Sequence, residues 1–366
     1  RWMAFEEAAD SAGLTPITNS NILKSSKYVF AFSDFVAMSC TRDPAMLTDL
    51  VDSGDLFNGR QSQVYESSLE AFLANAADED SLMHLLRRYR RRELVRIAWR
   101  DLAGWADLAE TITDLSSFAD ACIHSALNVL HQWQCETWGI PRAQDGSEQH
   151  LVVLGLGKLG ARELNFSSDV DLIFAYPQAG GTTGNGQSTG NTDFFTRLSR
   201  RLIKVIGQPT ADGFVFRVDA RLRPFGESGP LTLDFDAMEQ YYQQQGREWE
   251  RYALIKARAV AGNIEAGKRL LEKLHPFIYR RYLDYSAFES LREMKQMIAR
   301  DVKRKGMDSN IKLGPGGIRE IEFFGQMFQL IRGGVTPALQ DTAIINVLMA
   351  LESENLIPAG VSGELI

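Results

Sequence analysis

The sequence predicts an α+β protein that is mostly helical, with a small mixed β-sheet flanked by two helical regions. Residues 1–145 carry apolar side chains at helical spacing, whereas residues 146–233 contain short apolar runs bounded by turn residues. Residues 234–366 return to helical spacing. We therefore expect three domains with these bounds, and we expect the central one to carry the chemistry.

The amino-terminal region is predicted to be helical from its apolar periodicity. Leu82, Leu85, Leu86 and Tyr89 recur at helical spacing, and residues 116–138 carry a long apolar stripe. The first of these helices also carries a run of arginines: Arg87, Arg88, Arg90, Arg91, Arg92 and Arg96. Such a run favours a solvated, salt-bridged face, with docking of an acidic partner as the alternative.

The long helix at residues 116–138 raises a minor metal hypothesis. His124, His131 and Cys135 fall roughly on one face, and their side chains can bind zinc. A tetrahedral site needs a fourth ligand, however, and none is evident in the sequence. Because the helix also needs this face for its core, packing is the favoured interpretation.

Two aspartates stand at the start of a predicted strand in the central region. Asp169 and Asp171 are followed directly by the apolar run at residues 172–176. Side chains at i and i+2 of a strand share a face, so both carboxylates are expected to point the same way. Such a pair repels itself unless a cation intervenes, and Mg²⁺ favours one or two carboxylates together with waters and phosphates. The pair therefore predicts a magnesium-assisted phosphate reaction.

The segment before these acids contains a glycine motif with two other possible meanings. Residues 155–160 read Gly-Leu-Gly-Lys-Leu-Gly and follow an apolar strand, as in dinucleotide-binding proteins. A dinucleotide fold needs a crossover of a dozen or more residues before the next strand, and only residues 161–168 are available. A P-loop is disfavoured because Leu159, which has no hydroxyl group, follows Lys158. Binding of an NAD-type cofactor is kept as a minor alternative.

Residues 214–223 are predicted to form another strand, with one apolar and one charged face. The charged face carries Arg217, Asp219, Arg221 and Arg223. A third acid suits a second metal-ligand position, and the guanidinium groups of Arg221 and Arg223 match phosphate oxygens. The alternative is an exposed strand held by Arg–Asp pairs. Because Asp169 and Asp171 are expected to form a metal site, we favour the metal-ligand interpretation of Asp219 over the exposed strand.

The rest of the central and carboxyl-terminal regions is predicted from the same patterns. A Gly/Thr/Asn/Gln-rich loop is expected at residues 177–191, followed by a helix at residues 192–206. Further helices are expected at residues 249–260, 286–304, 317–331 and 341–352. Glycines at residues 314–317 lead into one of them, where free N–H groups could face an anion or simply begin a helix.

Composition agrees with a soluble cytoplasmic enzyme. The 366 residues carry a formal net charge of −7, which argues against general nucleic-acid binding. No apolar stretch is long enough to span a membrane, and residues 1–18 carry no signal-peptide core. Cys40, Cys122 and Cys135 have no paired spacing, which favours a reducing compartment. Because the chain does not begin with Met, we expect it to be part of a longer protein.

Four segments together resemble one enzyme family. They are residues 155–174, 217–230, 249–253 and 311–323. From about Phe30 onward, the sequence resembles the bifunctional glutamine synthetase adenylyltransferase/adenylyl-removing enzymes. The resemblance implies a polymerase-β-like nucleotidyltransferase core at residues 146–233, with residues 234–366 closing the active site. That family carries two such cores, whereas this sequence shows the signature once.

The resemblance further implies the half of the family that removes AMP. Residues 165–166 (Asn-Phe), 225–228 (Phe-Gly-Glu-Ser) and 314–320 look like the amino-terminal half. In the family, that half releases AMP from a tyrosine of glutamine synthetase by phosphorolysis, giving ADP. The implied partners are adenylylated glutamine synthetase, inorganic phosphate and the uridylylated PII signal protein as regulator. Forward adenylylation with ATP and a noncatalytic PII-binding domain remain the alternatives.

Site residues follow by matching this sequence to the family motifs. Asp169, Asp171 and Asp219 match the catalytic acids that hold Mg²⁺. Phosphate or nucleotide is expected to contact Gly157, Lys158, Ser168, Arg221 and Arg223. The lysine at 158 agrees with the family but departs from the wider superfamily, which has Gly-Ser or Gly-Gly at this turn. The sequence leaves open the roles of Lys256, Arg258, Glu320 and Glu322.

Overall fold

The computed structural model describes residues 1–184, 188–281 and 310–366, together with residues 289, 292, 293, 295–297, 300 and 304. Its fold is α+β and mostly helical with a small mixed sheet, which confirms the predicted class. The chain forms two compact units, called here the helical unit and the sheet unit. The helical unit comprises Arg1–Gln132, Glu163–Asp169 and Arg200–Val218, and the sheet unit comprises Trp133–Arg162, Val170–Ser199 and Asp219–Ile366. The predicted domain bounds stay a prediction.

The first part of the chain is helical, as the apolar spacing predicts. Its helices are α1 (Trp2–Ser11), α2 (Ser20–Phe32), α3 (Asp34–Arg42), α4 (Pro44–Asp52), α5 (Ser62–Leu73), α6 (Glu79–Leu102) and α7 (Leu108–Trp138). Side chains fix several of their starts, since Asn19 caps α2 and a reciprocal Asp78–Ser81 capping box begins α6. None of the helices in the described ranges has both the length and the apolar character needed to span a bilayer.

The arginine run on α6 forms salt bridges, as predicted, but the predicted solvated face is wrong where Arg87 and Arg96 are buried. Arg96 is 0% exposed and donates to Glu93 Oε2 at 2.8 Å and to Asp114 Oδ2 at 2.7 Å. Glu93 Oε1 also accepts from Arg60 and Arg92, each at 2.8 Å. A buried guanidinium is tolerated only when it is paired in this way. The charges therefore hold helices together inside the helical unit.

Arg87 on the same helix is bound by backbone oxygens instead of acids. Its guanidinium donates to the carbonyls of Val205 at 3.1 Å, Gln208 at 2.5 Å and Gly213 at 2.8 Å. These acceptors lie at and beyond the end of a later helix, α9 (Asn191–Gly207). Arg87 thereby fixes the chain where it leaves α9.

The sheet unit is built on short strands in a mixed arrangement. The strands are β1 (Ile140–Ala143), β2 (Val152–Leu156), β3 (Val170–Tyr176), β4 (Gly180–Thr183), β5 (Val218–Asp219), β6 (Thr232–Asp234) and β7 (Arg258–Gly262). The main sheet has the order β5-β3-β2-β7, with β6 also beside β3, and β1 pairs with β4 separately. Strand β2 is antiparallel to both β3 and β7, whereas β6 is parallel to β3.

Further helices lie between and after these strands in the chain. They are α8 (Gly157–Gly160), α9, α10 (Phe235–Gln244), α11 (Glu248–Leu254), α12 (Ile264–Ile278), α13 (Ile318–Arg332), α14 (Ile344–Ser353) and α15 (Val361–Leu365). Val152, Leu154 and Leu156 of β2 share a buried core with Met238 of α10 and Leu270 of α12. The helices predicted at 192–206, 317–331 and 341–352 are confirmed. The one predicted at 286–304 falls largely outside the described residues.

Three predicted elements differ from the structure. The strand at 214–223 is reduced to β5, since the N–H groups of Val215 and Phe216 both donate to the Ile206 carbonyl rather than to a neighbouring strand. The helix at 249–260 ends at Leu254, because the backbone after it pairs with β2 as strand β7. Within the loop predicted at 177–191, β4 pairs with β1.

Candidate active site

The glycine motif forms a tight turn beside one of the predicted acids. Strand β2 ends at Leu156, which is opposite Asp171 in the register of β3, and α8 begins at the next residue. Gly157 has φ +55°, and an ideal Cβ built on it would lie 2.7 Å from Asp171 Oδ2. A side chain at 157 would therefore meet the carboxylate, and glycine leaves that side of Asp171 open.

An arginine of β7 binds the short helix α8. Arg258 donates from Nε to the Gly160 carbonyl at 3.1 Å and from Nη2 to the Leu159 carbonyl at 2.9 Å. A Cβ on Gly160 would overlap the Lys256 carbonyl oxygen, so this glycine permits close packing. Sequence reasoning left the role of Arg258 open, because these two acceptors lie 98 and 99 residues away in the chain.

The antiparallel pairing of β2 and β3 does not fit the dinucleotide alternative. A dinucleotide-binding unit joins parallel strands through a crossover helix, whereas here only α8 and a short loop separate two antiparallel strands. The glycines of residues 155–160 therefore serve a tight turn and close packing, not a crossover.

Asp219 lies on β5, the strand next to β3 in the sheet order. Arg221 donates to its carboxylate from the backbone N–H at 2.8 Å, from Nε at 2.9 Å and from Nη2 at 2.5 Å. Hydrogen bonds from Arg221 hold the pKa of Asp219 below its usual range. Asp219 is thus an ionised carboxylate at neutral pH.

Asp169 directly precedes β3 and belongs to the helical unit. Its carboxylate accepts a hydrogen bond from Arg217 Nε, and Arg217 Nη2 donates to the Ser167 carbonyl at 2.7 Å. The neighbouring Ser168 hydroxyl donates to Asn165 Oδ1 at 2.6 Å. Only Asp171 of the predicted acid pair therefore lies within the strand itself.

The other predicted phosphate-binding residues have different surroundings. Lys158 is half-buried within α8. Arg223 donates to the carbonyls of Ala220 at 2.7 Å, Glu227 at 3.0 Å and Gly229 at 3.3 Å, so it holds the loop after β5 in a compact form. Contact of Gly157, Lys158, Ser168, Arg221 and Arg223 with phosphate or nucleotide stays a prediction.

The glycine-rich start of α13 is an ordinary helix start. Glu320 Oε2 accepts from the Gly316 N–H at 2.8 Å. The N–H groups of Ile318 and Arg319 donate to the carbonyls of Ile311 and Lys312, at 3.1 and 3.0 Å. Because the chain's own oxygens accept from these groups, the anion-binding alternative gains no support.

A largely buried ion pair links the segment between α11 and β7 to α13. Lys256, only 4% exposed as a residue, donates from Nζ to Glu322 Oε1 at 2.7 Å. Its sequence neighbours Leu254, Ile255 and Ala257 are buried and apolar. A lone cation in such a run is the one sequence signal that could have indicated a buried partner.

The donor chemistry of the three acids fits magnesium, since Mg²⁺ prefers carboxylate oxygens. Among the residues that the structure describes, no three His, Cys, Asp or Glu side chains are gathered as a metal site. Asp169 and Asp219 are held by arginines, as described above. The grouping of Asp169, Asp171 and Asp219 around a metal stays a prediction, and the zinc alternative at His124, His131 and Cys135 gains no support.

A small mixed sheet with a glycine turn against one strand aspartate, and another aspartate on the adjacent strand, defines a nucleotidyltransferase-like fold. Residues 23–273 match the family model described as glutamate-ammonia ligase adenylyltransferase, and the chain belongs to that family. Residues 292–366 match a second family model, described as GlnD PII-uridylyltransferase. The family predicted from the sequence motifs is therefore confirmed.

Curated relatives carry the name bifunctional glutamine synthetase adenylyltransferase/adenylyl-removing enzyme. The chain is 54% identical over 362 residues to that of Nitrosococcus oceani, covering 99% of this chain and 37% of the relative. It is 55% identical over 344 residues to that of Pseudomonas aeruginosa, covering 94% of this chain and 35% of the relative. It is 48% identical over 352 residues to that of Shewanella loihica, covering 96% of this chain and 36% of the relative. The chain thus spans little more than a third of the length of these relatives.

Proposed function

We propose that this chain removes AMP from an adenylylated tyrosine of glutamine synthetase by metal-dependent phosphorolysis. The observation that carries the proposal is the placement of Asp171 and Asp219 on neighbouring strands, with Gly157 turned against the Asp171 carboxylate. Family membership supports the same chemistry, since the relatives are named as adenylyltransferase and adenylyl-removing enzymes. The products are ADP and unmodified glutamine synthetase.

The proposed reaction is a direct displacement at the phosphorus of tyrosyl-AMP. An oxygen of inorganic phosphate forms a bond to that phosphorus, and the bond to the tyrosyl oxygen breaks. The phenolate then takes a proton from solvent, so the products are tyrosine and ADP. A phenol with an ordinary pKa near about 10 is a tolerable leaving group, so no strong general acid is required.

The chain's own residues position the reactants in this scheme. Arg221 and Arg223 would hold the attacking phosphate, because the guanidinium fork matches its oxygens. Lys158 and Ser168 would contact the nucleotide phosphate near the Gly157 turn. Arg221 has 68% of its side chain exposed, and an exposed ion pair is weak, so it can exchange Asp219 for phosphate.

Asp169, Asp171 and Asp219 would hold Mg²⁺, which when bound neutralises charge on the phosphate oxygens. Asp219 is ionised at neutral pH, as a metal ligand must be. Arg217 and Arg221 balance two of these acids in the structure and would have to release them. The donor set is therefore suited to a hard divalent cation.

The proposed direction of the reaction is based on the sequence motifs rather than on the acids, since the same site could attach or remove AMP. Residues 165–166 and 225–228 resemble the adenylyl-removing half, which supports removal. Forward adenylylation with ATP is the second candidate, because the relatives are named for both activities. We further propose the uridylylated PII protein as regulator, and the cytoplasm as the compartment.

The test measures ADP released from adenylylated glutamine synthetase with Mg²⁺, with and without phosphate. We expect release only with phosphate, and a loss of at least about 10²-fold in Asp171→Asn. Asp236→Asn is the matched control, since Asp236 has 85% of its side chain exposed and, within the described part of the chain, forms an ion pair with Lys273 alone. Incorporation of AMP from ATP without any ADP release would overturn the direction, and absence of both reactions would overturn the enzymatic proposal.

A further inference from the structure

Phe225 combines two features that are each unfavourable in a folded protein. Its φ is +63°, in the left-handed region that residues other than glycine rarely occupy. Its side chain is also 48% exposed, although phenylalanine is usually buried. Strained residues concentrate at functional sites, where surrounding contacts maintain them. The loop therefore holds an aromatic ring towards solvent at an energetic cost.

The ring of Phe225 packs against the ring of Tyr241. The centroids of the two rings are 4.3 Å apart, with 56° between their planes. Tyr241 is buried, and its hydroxyl donates to Glu250 Oε1 at 2.7 Å. Glu250 Oε2 in turn accepts from the Arg247 N–H at 2.9 Å. This chain of contacts from α10 to α11 fixes the orientation of Phe225 in advance of any ligand.

The loop that carries Phe225 begins directly after Asp219, the last residue of β5, and folds back on itself. The Gly226 N–H donates to the Arg223 carbonyl at 2.9 Å, and Arg223 binds three backbone carbonyls of the same loop. An ideal Cβ on Gly226 would lie 3.8 Å from the Arg221 carbonyl oxygen. Arg221 is the residue that binds the Asp219 carboxylate. Phe225 is thus held close to the backbone that follows the proposed metal ligand.

We propose that Phe225 is the stacking platform for the adenine base of the bound AMP group and of ADP. This inference rests on the proposed function, in which Asp219 helps to hold the Mg²⁺ ion beside the phosphates. An exposed aromatic face accepts a base by stacking, and a ring that is already fixed loses little conformational entropy on binding. The same ring could instead contact an apolar residue of a protein partner, and the experiment separates the two.

The test is binding of ADP with Mg²⁺ by calorimetry, with ribose 5-diphosphate as a probe that lacks the base. We expect Phe225→Ala and Phe225→Leu to weaken ADP binding about 10- to 100-fold, the range of base stacking. Binding of ribose 5-diphosphate should not change, and Phe225→Tyr should restore ADP binding. Phe32→Ala is the matched control, because Phe32 on α2 is 67% exposed and has no proposed role.

Phe225→Gly tests whether ADP binding depends on the aromatic ring or on the backbone conformation at residue 225. Glycine adopts φ +63° without strain, so this variant should unfold at a higher temperature than Phe225→Ala while binding ADP equally weakly. Unchanged ADP affinity in Phe225→Ala, or an equal loss for the probe without a base, would overturn the platform. If the wild-type chain binds ADP through Phe225 but releases none from adenylylated glutamine synthetase, the proposed function fails while the platform stands.

Discussion

A Cβ atom at Gly157 would stand 2.7 Å from the Oδ2 atom of Asp171, which is far inside van der Waals contact. The turn approaches the carboxylate this closely because Gly157 has no side chain and has φ +55°. The antiparallel pairing of β2 and β3 brings the two residues together, because it sets Leu156, the residue before Gly157, opposite Asp171. Gly157 and Asp171 therefore depend on one another for their geometry.

Gly157→Ala should lower the rate of the proposed reaction strongly and the free energy of unfolding only modestly. The added methyl group must displace the Asp171 carboxylate, and misplacement of a reacting group by an ångström can cost about 10²-fold in rate. Alanine in the left-handed region should also cost about 1–2 kcal/mol of unfolding free energy. Phosphate-dependent ADP release and urea unfolding measure the two effects separately.

Gly146→Ala provides the control for this substitution. Gly146 has φ +85°, and a Cβ there would meet no heavy atom of the described residues within 4 Å. The variant should lose a similar amount of stability and keep its activity. Equal activities of the two variants would contradict a role for the Gly157 turn at Asp171.

Arg221→Gln should change how stability depends on pH. Because Arg221 lowers the pKa of Asp219 below its ordinary 3.8, this pair stabilises the fold at pH values above 3.8. The contribution is lost as pH falls through the lower folded pKa, where Asp219 becomes protonated. Wild type should thus be more stable than Arg221→Gln at neutral pH, and the two should converge in acid. Urea unfolding from pH 7 to pH 2.5 checks this, and a gap independent of pH would refute it.

Glu93→Gln should destabilise the helical unit strongly. Glu93 has a fully buried side chain that accepts from Arg60, Arg92 and Arg96. Removing its charge leaves buried guanidinium groups undercompensated, which costs about 3–5 kcal/mol for a broken buried pair. Asp49→Asn is the control, because Asp49 has 60% of its side chain exposed and should cost less than about 1 kcal/mol. Urea denaturation of both variants tests the difference.

Lys256→Met should also be costly, and a second substitution should relieve part of the cost. The single change leaves Glu322, with 19% of its side chain exposed, without its ammonium partner, and we expect a loss of about 3 kcal/mol. Adding Glu322→Leu removes the uncompensated charge, so the double variant should be more stable than Lys256→Met. Strict additivity in a double-mutant cycle would show that the two side chains are not coupled.

The sheet could be predicted from sequence where both faces of a strand are buried. Residues of β2 and most of β3 are continuously apolar, which indicated strands and located Asp171. The strand predicted at 214–223 was wrong because alternating residues also occur in a segment whose backbone binds the end of α9. Strand β7 was missed because its partner, β2, lies about 100 residues earlier.

Site residues that depend on distant contacts were the hardest to predict. The acids and the glycine turn are local motifs, and the sequence indicated them. In contrast, Arg258 acts through carbonyls 98 and 99 residues away, and Phe225 becomes noteworthy only through its φ angle and Tyr241. The arginines of α6 were assigned to solvent because their partner Asp55 and the Gly213 carbonyl are remote in the chain.

The binding of Arg87 has a consequence for how this polypeptide emerges from the ribosome. Its acceptor at Gly213 is 126 residues further along the chain. At about 5–20 residues per second, translation takes roughly 6–25 s to supply that oxygen. During this interval the guanidinium must remain hydrated, so α6 cannot complete its packing until the segment after α9 has left the exit tunnel.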